Sequence, residues 1–96
     1  PLHRLDCCVV SDGGGAVIVA RPEIAKSLKR PVVNLLGAGE SPKGQAGGKL
    51  TLTTSGAAWS GKAAFEEAGV KPADIRYASI YDSFTITVIV QIEDLG

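Results

Sequence analysis

The chain carries no surplus of either charge: ten basic residues balance ten acidic ones. They are scattered along the sequence, so no electrostatic footprint for nucleic acid or an anionic membrane is expected. Long apolar runs are also missing, which excludes a helix crossing a bilayer, and the N-terminus lacks the basic-then-apolar pattern of a signal peptide. A cytoplasmic setting is the expectation. Cysteine is confined to the adjacent pair Cys7 and Cys8. A bridge between neighbours is strained and offers no framework of staples, so reduced thiols are expected. Methionine is absent and the sequence stops at Gly96 directly after a helical pattern. At 96 residues the chain reads as one small domain or a piece of a longer protein. Against these absences, hydrophobic residues make up 45% of the chain, and its twelve glycines and five prolines stay below the range of low-complexity sequences. A packed unit is expected.

Apolar runs at Cys7 to Val10 and Ala16 to Ala20 flank Ser11-Asp12-Gly13-Gly14-Gly15, the pattern of two short strands around a glycine-rich turn. Arg21-Pro22-Glu23 opens a helix with proline in its first turn and Ile24, Ala25 and Leu28 as its apolar stripe, ended by Pro31. The nearly continuous run Val32, Val33, Leu35, Leu36 predicts a strand covered on both faces. Gly37 to Gly48 reads as a loop and Leu50 to Thr54 as a short extended piece. Ser55 then caps a helix that closes at Gly69, a glycine suited to the left-handed position after a helix. Tyr77 to Tyr81 predicts a strand. Phe84, Ile86, Val88, Ile89, Ile92 and Leu95 recur at helical spacing, although Thr85, Thr87 and Val88 are β-branched and also suit a strand. The fold class is therefore α/β, with helices layered on a sheet.

Several motifs compete for function. Gly56-Ala57-Ala58-Trp59-Ser60-Gly61-Lys62-Ala63 matches a phosphate-cradling P-loop except at its last position, where Ala63 has no hydroxyl for Mg²⁺. The plainer reading is a helix N-terminus whose small residues pack closely. Gly37-Ala38-Gly39 after a strand is a weak dinucleotide signal, because Pro42 takes the third glycine's place. Cys7 and Cys8 read as small buried hydrophobes rather than nucleophiles, His3 as a solvated surface residue, and Lys43, Lys49 and Lys62 as solubilising. No metal site is expected. The functional expectation rests on Tyr81, Asp82 and Ser83, placed between a strand and a helix, where α/β proteins do chemistry. There a tyrosine can donate a hydrogen bond to a developing oxyanion or act as general acid. Asp82 can orient it or cap the next helix, as can Ser83.

In order and spacing these pieces resemble the thiolase superfamily over essentially the whole chain. Ser11-Asp12-Gly13-Gly14-Gly15-Ala16-Val17-Ile18-Val19 is similar to the family's Asn-Asp-Gly-Ala-Ala-Ala stretch, the last strand of its N-terminal half. Pro31 to Gly39 looks like the first strand of the C-terminal half. Ala68-Gly69-Val70-Lys71-Pro72-Ala73-Asp74-Ile75 looks like the helix end and turn before the family's Asn-Glu-Ala-Phe motif, whose place Tyr81-Asp82-Ser83-Phe84 occupies. The branch it resembles most includes sterol-carrier-type thiolases and thiolase-like lipid-transfer proteins. On this resemblance residues 1–30 end the N-terminal half and residues 31–96 begin the C-terminal half.

The resemblance implies a layered αβαβα fold, normally dimeric, acting on coenzyme A thioesters as substrates with no covalently bound cofactor. It implies a fragment of an acyl-CoA acyltransferase making or cleaving a carbon–carbon bond by Claisen chemistry, and inactive alone. The family's nucleophilic cysteine lies upstream of these motifs, and its catalytic histidine and second cysteine lie downstream. The partners implied are an acyl-CoA and the remainder of the chain or a second copy. Position 81 is Asn in most thiolases and commonly His in the sterol-carrier branch, whereas this chain has Tyr81. Some thiolase-like enzymes are aldolases that cleave β-hydroxyacyl thioesters, where a tyrosine acid/base suits the chemistry. That alternative, a non-catalytic scaffold, and a P-loop-like nucleotide binder stay open at this point.

Overall fold

The computed structural model describes residues 2–42 and 52–96. Lys43, Lys49, the second half of the Gly37 to Gly48 loop, and the start of the Leu50 to Thr54 piece lie outside the described residues.

Among the described residues three helices carry the order: α1 (Pro22–Ser27), α2 (Ala57–Ala68) and α3 (Thr85–Leu95). Helix α1 starts at proline, whose fixed φ and missing N–H suit a first helical position. It stops ahead of Pro31, where Lys29 takes a left-handed φ of 46°. Helix α2 ends at Gly69, whose φ of 67° is the left-handed geometry that glycine adopts without strain, and its N–H returns to the carbonyls of Glu66 and Phe65. Two 3₁₀ turns, Arg4–Asp6 and Pro72–Asp74, are built alike. In each an aspartate carboxylate accepts the backbone N–H three residues earlier: Asp6 from His3 at 2.7 Å and Asp74 from Lys71 at 2.9 Å.

Helices α2 and α3 pack on each other. Gly61 is buried, and a Cβ there would run into the Leu95 side chain. Asp94 of α3 fastens the start of α2, accepting both the N–H of Ser55 at 2.6 Å and its hydroxyl at 2.7 Å. The Gly37–Gly39 segment lies along α2: Cβ atoms at Gly37 and Gly39 would meet the backbone oxygens of Ala64 and Ser60. The Ala38 N–H also donates to Glu67 at 2.8 Å.

The expected strands are not seen. Among the described residues the β pairing is one isolated antiparallel bridge, Cys7 to Phe84, beside a Cys8 N–H to Ser83 carbonyl bond of 3.1 Å. The runs at 7–10, 16–20, 32–36 and 77–81 form no ladder, so the α/β layering is not shown; what is seen is helical. A strand exists only through its neighbour, and among the described residues the Cys7 to Phe84 contact is all the pairing these runs receive. Their side chains are correspondingly bare: Val10 is 98% and Val33 93% exposed. Cys7 and Cys8, expected to be buried, are exposed for the same reason. No hydrophobic side chain among the described residues is fully buried. The Cα radius of gyration of 16.6 Å exceeds the roughly 13 Å of a compact domain of about 100 residues.

Candidate functional site

The loop Tyr81-Asp82-Ser83-Phe84 is held from two sides. On one side is the N-terminal segment, with the Cys7 to Phe84 bridge and the Cys8 N–H on the Ser83 carbonyl. The Thr85 hydroxyl adds to this by donating to Asp6 Oδ1 at 3.0 Å. On the other side is α3. The Ser83 hydroxyl donates to Thr87 Oγ1 at 3.1 Å, and the Gln91 side-chain amide donates to the Tyr81 carbonyl at 3.2 Å.

Within this frame the three expected residues differ. Tyr81 is 74% exposed, with its phenol free of hydrogen bonds to the described residues. Asp82 is exposed and makes no side-chain hydrogen bond among them, so it neither orients Tyr81 nor caps α3. Ser83 is half-buried and engaged through both its hydroxyl and its carbonyl. The N-cap of α3 is Phe84, with extended backbone angles and no side-chain cap, not Asp82 or Ser83. The Phe84 carbonyl accepts the N–H groups of Thr87 and Val88. The structure thus brings Ser83 into contact with its surroundings and leaves the side chains of Tyr81 and Asp82 open.

Asp6, Cys8 and Gln91 were not marked by the sequence reading as supports of this loop. The one local signal available for Gln91 was that it is a lone amide within an apolar and threonine run. The Asp6 carboxyl is held below the ordinary 3.8, first by the His3 N–H and then by the Thr85 hydroxyl, both of which favour its ionised form.

The P-loop reading fails on geometry. The helix begins at Ala57, so the positions that should form a phosphate-cradling loop are already helical, and the carbonyl of Gly56 takes the N–H groups of Trp59 and Ser60. Lys62 points to solvent and lies 3.9 Å from Glu66 one turn on. Gly56, Ser60, Gly61 and Ala64 serve close packing instead: a Cβ at Gly56 would strike the Ser41 carbonyl. Gly37 and Gly39 are likewise small in order to approach α2, not a dinucleotide. An open depression of about 470 Å³ beside α2 and the end of α3 is lined by Phe65, Val70, Lys71, Pro72 and Leu95, among others. It does not include Tyr81, Asp82 or Ser83. No helix among the described residues is long and apolar enough to cross a membrane.

Residues 38–96, which contain α2, the Pro72–Asp74 turn, the Tyr81 loop and α3, match the family described as thiolase C-terminal domain-like. The chain belongs to the thiolase superfamily. Curated members of that superfamily and related enzymes align with its whole length. This thiolase-family chain is 35% identical to the steroid side-chain-cleaving aldolase of Thermomonospora curvata over 106 aligned positions. It is 34% identical to the 17-hydroxy-3-oxo-4-pregnene-20-carboxyl-CoA lyase of Mycobacterium tuberculosis, and 31% identical to the benzoylsuccinyl-CoA thiolase subunit BbsB of Thauera aromatica. Each alignment covers 100% of this chain and 26% of the relative, so the chain spans about a quarter of the length of the curated relatives it matches. No solved structure matches it.

Proposed function

We propose that this chain is the central part of a thiolase-type acyl-CoA acyltransferase, and that its Tyr81 loop forms one wall of the thioester site. The observation that carries the reading is the match of residues 38–96 to the thiolase C-terminal family, with Tyr81, Asp82 and Ser83 on a loop anchored to two separate segments. An anchored loop with an open phenol is suited to donating a hydrogen bond to a thioester oxygen as negative charge develops there. Ser83 holds the loop's shape and Asp82 lines its solvent side. The nucleophilic cysteine and catalytic histidine of the family have no counterpart in these motifs, so the 96 residues alone are inactive.

In this reading residues 1–30 close the N-terminal half and residues 31–96 open the C-terminal half of an αβαβα fold in the sterol-carrier branch. The remaining layers, or a second copy, cover the bare apolar runs. The substrate is a coenzyme A thioester, no cofactor is held covalently, neither nucleic acid nor membrane is a partner, and the setting is cytoplasmic. Support comes from the family match, the balanced charge and the exposure of Val10 and Val33.

A specific observation favours a second reading. Tyr81 stands where thiolases usually have asparagine or histidine, and two of the relatives are named an aldolase and a lyase. A tyrosine acid/base serves cleavage of a β-hydroxyacyl thioester, which needs no acyl-enzyme. The intact protein, assayed with 3-ketoacyl-CoA plus free coenzyme A and separately with 3-hydroxyacyl-CoA, distinguishes the two. Coenzyme A-dependent thiolysis is the expected result. Cleavage of the hydroxy compound without coenzyme A transfers the assignment to the aldol reading, and turnover of neither overturns both.

A further inference from the structure

Gln91 lies on α3 with its side-chain amide turned back toward the Tyr81 loop. The amide nitrogen donates to two carbonyl oxygens, that of Thr87 one turn earlier and that of Tyr81, each at 3.2 Å. A primary amide has two N–H donors, and these acceptors occupy both. A peptide group is planar, so holding the Tyr81 carbonyl fixes the plane joining Tyr81 to Asp82. The next carbonyl but one, that of Ser83, is held by the Cys8 N–H at 3.1 Å. Asp82 and Ser83 are therefore suspended between two anchored peptide groups, one tied to α3 and the other to the N-terminal segment. The Tyr81 ring is 74% exposed and its hydroxyl has no hydrogen-bond partner among the described residues. Packing does not hold this ring; what is held is the backbone from which its side chain starts.

From this we infer that Gln91 is a positioning residue for Tyr81: by gripping the Tyr81 carbonyl it aims the phenol into the thioester site. The inference rests on the proposed role of Tyr81. Losing the grip leaves the phenol chemically intact but misdirected. Small misplacements of a reacting group lower the rate of the chemical step far more than they weaken substrate binding.

The test uses the intact protein and its acyl-CoA turnover, with Gln91→Met, Gln91→Glu, Tyr81→Phe and the double variant Tyr81→Phe/Gln91→Met. Methionine keeps the length of glutamine and its helix preference but has no donor; glutamate at neutral pH presents only acceptors to the two carbonyls. Both Gln91 variants are expected to lower kcat by roughly tenfold to a hundredfold, with KM within about twofold and the thermal midpoint unchanged. Gln91→Glu is expected to recover as the pH falls and its carboxyl regains a donor proton, whereas Gln91→Met shows no such recovery. In the Tyr81→Phe background, Gln91→Met is expected to cause no further loss, because both changes act on one group. Additive losses overturn the inference, as does a parallel fall of kcat and thermal midpoint. Normal kcat in Gln91→Met beside a slow Tyr81→Phe overturns it and leaves the role of Tyr81 standing. Normal turnover in Tyr81→Phe overturns that role and this inference together.

Discussion

Gly37 and Gly39 carry no side chain toward α2, and that is what lets their segment lie on the helix. The two differ from Gly61 in what a methyl group would meet. At Gly39 it meets the Ser60 backbone, which cannot move without shifting α2, whereas at Gly61 it meets the tip of Leu95, which can rotate. In the intact protein, Gly39→Ala is expected to cost about 1–3 kcal/mol of stability and Gly61→Ala less, read from the midpoint of denaturant unfolding. Equal costs would contradict the distinction. The sequence already read Gly61 as a small residue packing closely at a helix start, but marked Gly37 and Gly39 only as a weak dinucleotide pattern, because pattern matching sees glycine and not the helix it must approach. At Asp6 the sign of the pH effect follows from the depressed pKa. Its bonds to His3 and Thr85 stabilise the fold fully above the ordinary 3.8 and are lost as the pH falls below that value toward the folded-state pKa. A carboxyl-carbon NMR titration should place the Asp6 midpoint under 3.8, and Thr85→Val should raise it; a midpoint at or above the ordinary value contradicts the clamp.

The helices were legible because their signals are local. Apolar spacing, proline at the start of α1 and glycine after α2 all lie within the elements they define. Helix α3 formed despite the β-branched Thr85, Thr87 and Val88, since its apolar period and its contact with α2 outweigh a weak propensity. The caps were less legible. Ser55 does serve α2, but its hydroxyl accepts the Ala57 N–H at 3.2 Å from one position outside the N-cap and is itself oriented by Asp94, 39 residues away. No local rule contains that partner. Because one carboxylate takes both Ser55 donors, Asp94→Ala is expected to cost about 2 kcal/mol in the intact protein, with the loss concentrated at the start of α2. Amide hydrogen exchange should show faster exchange around Ala57 and Trp59; unchanged protection there would contradict the clamp. The strands were the least legible elements. Alternation and β-branching mark a run as able to pair, but pairing also needs a neighbouring chain. The described residues supply one bridge, Cys7 to Phe84.

At the scale of the whole molecule, bare apolar runs dominate. Leu5, Val10, Val17, Ile18, Val19 and Val33 all face solvent, and none of the described hydrophobic side chains is fully buried. Exposed runs of this kind seek partners. The isolated 96 residues are therefore expected to sediment as associated species, and to gain order only with the remainder of the thiolase fold or a second copy. A clean monomer by sedimentation velocity contradicts this. The superfamily was readable from the order of short motifs, and the match over residues 38–96 agrees with it. The Tyr81 loop was readable as a position but not as a geometry, since its supports come from Cys8, Asp6 and Gln91, at distant places in the chain. The central claim is that this loop serves an acyl-CoA site through the Tyr81 phenol. Its most direct test is kcat for acyl-CoA turnover by the intact Tyr81→Phe protein. A fall of roughly a hundredfold or more with an unchanged thermal midpoint is the expected result, as for loss of a donor to a developing oxyanion. Turnover equal to that of the unaltered protein would contradict the claim.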